Sequence, residues 1–144
     1  MVLPIFIFQT GTWIGEGKIS FSSSPEFIKF YTKWQINEEI PGQLKALQIV
    51  EMQEVEEHVV NSFTFLEILD SSFTVILENE MIGKITGKGI KDERSIAWEF
   101  RNQEVFEGFE VYEQQENGDY SLYAEYTSAD QFRTIIQGLI WKKN

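Results

Sequence analysis

Few side chains of this sequence could take part in nucleophilic, acid–base or metal chemistry. The 144 residues include one histidine, His58, and no cysteine. Without cysteine the chain has no disulfides, thiolate nucleophiles or Cys-based zinc sites, and a Ser–His triad would have to use His58. Because three acidic residues, Glu54, Glu56 and Glu57, precede this histidine, we interpret His58 as a solvated residue of an acidic turn. The alternative role is that of a general base or a metal ligand.

The acidic run at residues 51–57 (EMQEVEE) carries several carboxylates but does not have the pattern of a calcium loop. Calcium loops place Asp, Asn and Gly at ordered positions, so we predict no metal site here. The segment Gly83-x-x-x-Gly87-x-Gly89 likewise lacks the Gly-Lys-Ser/Thr ending and the following helix that hold a phosphate. We therefore assign these glycines to a strand that another part of the chain approaches closely.

One carboxylate, Glu110, is a candidate for acid–base chemistry inside the fold. It belongs to residues 105–113 (VFEGFEVYE), a segment without a clean polar face, so that Glu110 and Tyr112 could both turn inward. An inward carboxylate can give a proton to a bound substrate or take one from it. Any enzymatic interpretation of the chain therefore depends on Glu110.

The composition excludes several classes of partner. Hydrophobic residues make up 42% of the chain, and folding hides about two-thirds of the surface of a chain this long, which supports one domain over residues 1–144. The net charge of −11 repels phosphate backbones and anionic lipids, so we expect neither nucleic-acid nor membrane binding. Residues 1–10 begin with an apolar stretch that lacks the basic region and cleavage site of a signal peptide. We expect this stretch to pack on the barrel of a cytoplasmic protein.

Alternation of apolar and polar residues with a period of two recurs along the chain, and almost no helical pattern appears, which predicts an all-β fold. Residues 50–60 are the least certain strand region, since Glu and Met there also favour a helical turn. Asn117-Gly118 predicts a two-residue hairpin turn. Because a meander of ten strands must close or leave two open edges, we predict a single antiparallel up-and-down β-barrel. The ten windows are residues 13–21, 28–36, 44–52, 59–67, 73–78, 81–89, 96–101, 105–113, 119–127 and 132–141.

The same alternation assigns side chains to the barrel interior. Glycines at inward positions, among them Gly83, Gly87 and Gly89, take side chains away from the lumen, so we predict an apolar pocket that opens at the end away from Trp13. Apolar pockets with a few convergent polar groups are typical of small-molecule sites. The predicted lining of this pocket is Phe30, Thr32, Trp34, Gln48, Phe73, Trp98, Phe100, Tyr120, Tyr126 and Thr134.

Residues 11–17 (GTWIGEG), at the start of the first long strand, resemble the Gly-x-Trp signature of the calycin superfamily. Within this superfamily the stretch is most similar to nitrobindin-type and lipocalin-like bacterial domains. The resemblance implies that Trp13 plugs the closed end of the barrel and packs against a basic residue of the last strand. Lys142 or Lys143 would then lie over the indole in a cation–π contact.

Two features depart from the families that the resemblance names. Fatty-acid-binding members have a helical lid between the first two strands, and residues 21–26 (FSSSPE) are too short for one. Nitrobindin-type proteins bind haem through a histidine of the final strand, and residues 134–140 (TIIQGLI) contain none. We therefore expect no haem and predict no other cofactor.

We rank three functions on this basis. The first is non-enzymatic binding of a small apolar ligand in the barrel cavity. The second is an adaptor without a ligand, for which residues 59–67 and 135–141, apolar on both faces, would supply the contact surface. The third is an isomerase, cyclase or hydrolase that uses Glu110. The partners compatible with these properties are a small apolar molecule and a second copy of the chain.

Overall fold

The strands predicted from the alternation pattern form a closed barrel of ten antiparallel strands in a computed structural model. The model describes residues 5–101, 106–128 and 132–143. A 3₁₀ helix, Phe6–Phe8, precedes the first strand. The strands are β1 Gly11–Phe21, β2 Phe27–Ile40, β3 Gln43–Met52, β4 Val59–Leu66, β5 Ser72–Asn79, β6 Gly83–Lys91, β7 Ser95–Phe100, β8 Phe106–Gln114, β9 Tyr120–Ser128 and β10 Arg133–Lys142.

Each strand pairs with its neighbours in sequence, and the pairing of β1 with β10 closes the barrel. In this closing pair Trp13 lies opposite Lys142 and Gly17 lies opposite Gly138. Closure satisfies the backbone groups of both edge strands, which would otherwise be open to pairing with another chain. The prediction of an all-β up-and-down barrel is confirmed.

The inward residues are those that the alternation predicts. In β2 the buried side chains are Phe30, Thr32, Trp34 and Ile36, and the residues between them are exposed. Strands form here because β-branched and aromatic residues at every second position pack on a pleated, half-buried surface. The interior is therefore built from one face of every strand, as a barrel requires.

One end of the barrel is filled by aromatic side chains around the 3₁₀ helix. The ring of Phe6 is fully buried and its centroid lies 5.0 Å from that of Trp13, 5.4 Å from Trp34 and 5.0 Å from Tyr112. The backbone N–H of Phe6 donates to the hydroxyl of Tyr120 at 3.1 Å. Aromatic pairs at such distances and tilted angles are favourable beyond the area they bury. The segment before β1 thus lies inside the barrel end; residues 1–4 are outside the described range.

Two local expectations differ from the structure, and the helical alternative for residues 50–60 is not found. Residues 50–60 contain no helix, since β3 extends to Met52 and β4 begins at Val59. Met81 lies in the turn before β6 and is 84% exposed instead of belonging to a strand. The link around Gly118 is a three-residue loop, closed by the N–H of Gln115 donating to the carbonyl of Asp119 at 2.7 Å. Gly118 has a φ of 93°, the left-handed conformation that this loop needs at its last position.

No helix in the described ranges is long and apolar enough to span a bilayer.

Candidate functional site

The end of the barrel opposite Trp13 contains a half-open cavity of about 350 Å³. It is formed where β1, β3 and β5 end and where β2, β4 and β10 begin, so it is separated from the aromatic plug by the packed middle of the barrel. Its apolar lining is Ile19, Phe30, Val50, Val59, Phe63, Leu77, Met81, Leu122 and Ile136. Its polar lining is Gln48, Asn61, Asn79, Glu110, Tyr126 and Thr134.

Glu110 is the carboxyl group among the described residues that line this cavity. It is 8% exposed, and it lies on β8 opposite Trp98 of β7. The hydroxyl of Tyr112 donates to Glu110 Oε1 at 2.6 Å. The hydroxyl of Tyr126 donates to Glu110 Oε2. Each carboxyl oxygen therefore accepts one phenol hydrogen bond, which fixes the orientation of the carboxyl group.

Burial raises the pKa of the Glu110 carboxyl above its ordinary value, because desolvation penalises the charged form. The hydrogen bonds from Tyr112 and Tyr126 oppose this shift, since they favour the carboxylate. The indole N–H of Trp98 acts in the same direction on this pKa, although it does not reach hydrogen-bonding geometry with any described residue. Burial and the nearby Glu110 raise the pKa values of both tyrosines well above the ordinary range, so both phenols stay protonated.

On the cavity wall opposite Glu110, side-chain amides on neighbouring strands form a continuous row of hydrogen bonds, the amide ladder. Asn79 donates to Asn61 at 2.9 Å, Asn61 donates to Gln48 at 2.9 Å, and Gln48 donates to Thr32 at 3.2 Å. The backbone N–H groups of residues 81 and 82 donate to Asn79 Oδ1, each at 2.9 Å. A backbone N–H can only donate a hydrogen bond, so the side-chain atom of Asn79 that accepts here is its oxygen. The amide nitrogen of Asn79 therefore faces Asn61, and the donors and acceptors in the rest of the ladder follow from this assignment. Each amide nitrogen donates one hydrogen bond in the ladder and carries a second N–H.

The two polar groups face each other across the cavity. The ladder crosses β2 to β5, whereas Glu110 and Tyr126 belong to β8 and β9, which lie on the other side of the ten-strand ring. The wall between them is formed by the apolar side chains of Ile19 and Ile136 and by Thr134. A molecule held here would meet a carboxyl group at one side and amide N–H groups at the other.

The residues predicted to line the pocket divide into two groups. Phe30, Gln48, Tyr126 and Thr134 line the cavity, whereas Thr32 is buried behind it and accepts a hydrogen bond from Gln48. The others are buried but pack on one another in the filled part of the barrel, so their assignment to the cavity wall is corrected. These are Trp34, Phe73, Trp98, Phe100 and Tyr120.

The inward glycines do not enlarge the cavity as the sequence suggested. A Cβ atom on Gly87 would lie 2.7 Å from Cδ1 of Phe100, and one on Gly89 would overlap the ring of Phe73. Neighbouring rings therefore occupy the space that these glycines free. Gly83 is exposed in the turn that begins β6, with φ of 72°.

Trp13 and Lys142 are placed at the closed end as the resemblance implies, but they do not form the implied contact. Trp13 is 2% exposed and its indole Nε1 donates to the carbonyl of Gln9 at 3.3 Å. Lys142 Nζ donates to the Gln9 side chain at 3.2 Å. Within the described ranges the lysines found over aromatic rings are Lys18 and Lys91. Lys142 thus holds the segment before β1 and does not stack on the indole.

Sequence reasoning missed the amides of β4 and β5 and singled out Glu110 only for the enzymatic alternative. Asn61 lies in a window that was interpreted as apolar on both faces, although Asn61 points inward next to Gln48. Amide side chains at inward positions of adjacent strands are the sequence signal that would have predicted the amide ladder. His58 is exposed in the link between β3 and β4, as the interpretation of a solvated residue expects.

Comparison with known proteins identifies a protein of the same fold but assigns the chain to no family. No family model matches the chain, and no curated protein matches it. Among solved structures, the S-type phycobiliprotein lyase CPES from Guillardia theta superposes with a TM-score of 0.71 and 6% sequence identity. The match covers 94% of this chain and 88% of the lyase chain. The fold is therefore a lipocalin-like barrel.

This comparison also corrects one expectation. The prediction that the chain is not an enzyme rests on the scarcity of side chains that could carry out catalysis. A protein with the same fold is a lyase, so the fold gives no ground for excluding catalysis. The exclusion of an enzymatic function was therefore wrong.

Proposed function

We propose that the chain binds a small, largely apolar molecule in the cavity around Glu110. The observation that carries this proposal is the arrangement of the lining: apolar walls with a few polar groups that converge from two sides. Ligand sites in proteins have this composition, because apolar contacts supply affinity and a few polar groups fix the orientation. The barrel fold shared with a lyase is compatible with such a site.

The cavity volume limits the size of the ligand. An apolar cavity of about 150 Å³ accommodates benzene, so a volume of about 350 Å³ corresponds to a molecule of one or two rings. Burial of about 200 Å² of apolar surface contributes roughly 5 kcal/mol before association costs are subtracted. We therefore expect dissociation constants in the micromolar range or weaker for an unoptimised probe.

A neutral two-ring probe, 1-naphthalenemethanol, tests the site together with a variant that fills it. Ile136 lines the cavity at the start of β10, and its neighbour Ile135 does not line it. We expect the probe to bind the wild type and Ile135→Trp in calorimetric titration and to lose at least about tenfold in affinity with Ile136→Trp. Equal affinity for both variants would mean that the probe binds elsewhere.

A second function, proton transfer by Glu110, is favoured by one specific observation: the carboxyl group is buried in the cavity wall with a raised pKa. Such a carboxylate is a stronger base than an exposed one. The ring-opening of 5-nitrobenzisoxazole reports on it, since a base removes the C–H proton while the N–O bond breaks to a phenolate nitrile. We expect Glu110→Gln to lower this rate by about 10²-fold, and Glu113→Gln, at an exposed position of the same strand, to leave it unchanged.

Two narrower statements stay predictions from the sequence. They are a cytoplasmic location and a relationship to nitrobindin-type domains. Fractionation of cells that express the tagged chain would test the location.

A further inference from the structure

Glu110 is buried without a basic partner. The chain has 12 lysine and arginine residues, all of them within the described ranges, and none of their side chains is buried. Lys91 is the least exposed of them, and it contacts Phe8 and the carbonyl of Asp70 at the closed end. The single histidine is exposed. Among the described residues, the lining of the cavity therefore contains a carboxyl group and no cation.

The hydrogen-bond donors around Glu110 favour its charged form, although burial opposes them and has the larger effect on its pKa. Two phenol hydroxyls donate to its oxygens, and the Trp98 indole N–H also favours the carboxylate. A carboxylate can accept about four hydrogen bonds, so acceptor positions remain after the two phenols. An ionised carboxylate in an apolar cavity is costly unless a cation pairs with it. Within the described ranges no side chain supplies that cation.

We propose that the ligand of this cavity is a small organic cation, an ammonium group on an apolar body, that pairs with Glu110. This inference rests on the proposed binding function and names the ligand class. The carboxylate and the ammonium neutralise each other, and the remaining ammonium hydrogens reach the oxygens around Glu110. The apolar body then lies against the walls toward the amide ladder.

The aromatic lining fits such a ligand. Phe30, Phe63 and Tyr126 present rings to the cavity. Ring faces attract cations, and they also cover an apolar body. The amide ladder on the other wall can donate its second N–H groups to an acceptor at the far end of the ligand. A molecule with an amine at one end and an oxygen acceptor at the other would use both walls.

The charge at the mouth favours cations as well. The links at this end of the barrel carry exposed carboxylates, whereas the basic groups described in these links and at the adjoining strand starts are His58, Lys84, Arg101 and Arg133. Clefts lined by one sign of charge concentrate ions of the opposite sign and speed their association. The exposed carboxylates of these links are Glu26, Glu54, Glu56, Glu57 and Glu80.

Two isosteric probes test the inference: 1-naphthalenemethylamine, a cation at neutral pH, and neutral 1-naphthalenemethanol. We expect calorimetric titration of the wild type to show about ten- to hundredfold tighter binding of the amine. Glu110→Gln, which keeps the shape of the side chain, should remove this preference. Glu113→Gln, which changes the net charge equally at an exposed position, should keep it.

A measurement on the wild type alone covers the case in which Glu110→Gln does not fold. The affinity for the amine should fall as acid protonates Glu110, and the affinity for the alcohol should stay constant. Equal or tighter binding of the alcohol, or an amine preference that persists in Glu110→Gln, would overturn the cation proposal and leave the proposed cavity function standing. Failure of both probes to bind the wild type would overturn both proposals.

Discussion

At the scale of single residues, two opposing effects determine the pKa of Glu110. Burial favours its neutral form, and the hydroxyls of Tyr112 and Tyr126 favour its charged form, with burial the larger effect on its pKa. The result is a carboxyl group that keeps its proton to higher pH than an exposed glutamate. Ionising it in the folded protein therefore costs free energy that the unfolded chain does not pay.

The sign of this linkage gives a prediction for stability. The pKa of Glu110 is raised above the ordinary value of 4.5, so its proton stabilises the folded state fully below that value, and the contribution is lost as pH rises through the raised pKa. We expect the free energy of unfolding of Glu110→Gln to rise relative to the wild type over this interval. Urea denaturation at a series of pH values from 4.5 upward measures it. Glu113→Gln is the control, and parallel curves for wild type and Glu110→Gln would contradict the assignment.

Trp13 supports the closed end of the barrel. Its ring centroid lies 5.0 Å from that of Phe6 and 5.7 Å from that of Tyr120, and it is almost fully buried. Trp13→Ala leaves a void under the 3₁₀ helix, and we expect a loss of about 3–5 kcal/mol in the free energy of unfolding. Trp141→Ala, at a partly exposed position, should cost less. A loss below about 1 kcal/mol for Trp13→Ala would show that the plug is not a stabilising element.

At the scale of strands, glycines and rings fit together across neighbouring positions. Phe73 of β5 lies opposite Gly89 of β6, and its ring covers the glycine where a Cβ atom would be. Phe100 of β7 covers Gly87 in the same way. These contacts between rings and glycines fill the middle of the barrel, so the cavity is confined to one end.

This packing predicts strong coupling between Gly89 and Phe73. Gly89→Ala overpacks the site and should lower the free energy of unfolding by about 1–3 kcal/mol. Phe73→Leu withdraws the ring, so its cost should be smaller in the Gly89→Ala background than in the wild type. A double-mutant cycle by chemical denaturation measures this coupling, and additive effects would contradict the contact.

The sequence allowed the strands to be predicted but not all of the cavity. Period-two alternation survives in every strand because each has a buried and an exposed face, so ten strands and their inward residues could be assigned. Which inward side chains meet depends on register and on ring orientation, which one sequence does not contain. Gly87 was therefore interpreted as open space although Phe100 fills it. The link between Gln48 and Asn61 was missed for the same reason, since it joins two strands.

At the scale of the whole molecule, acidic residues outnumber basic ones by 23 to 12. The net charge is −11, and the described residues include the ion pairs Lys45–Glu39 and Arg101–Glu99, both exposed. Exposed pairs contribute little to stability. The excess negative charge instead repels itself across the compact barrel, and this repulsion is larger in the folded state than in the extended chain.

Salt should therefore stabilise the protein. Raising sodium chloride from about 0.01 M to about 0.1 M shortens the Debye length from about 30 Å to about 10 Å and screens this repulsion, so we expect the thermal midpoint to rise by roughly 2–4 °C for each kcal/mol gained. Replacing Glu54, Glu56 and Glu57 together by Gln should raise the midpoint at low salt and reduce its dependence on salt, because these exposed carboxylates lie close together in one link. Calorimetric scans of both proteins at matched salt concentrations measure the two effects. A midpoint that is constant or falls with salt would mean that self-repulsion is not significant in this barrel.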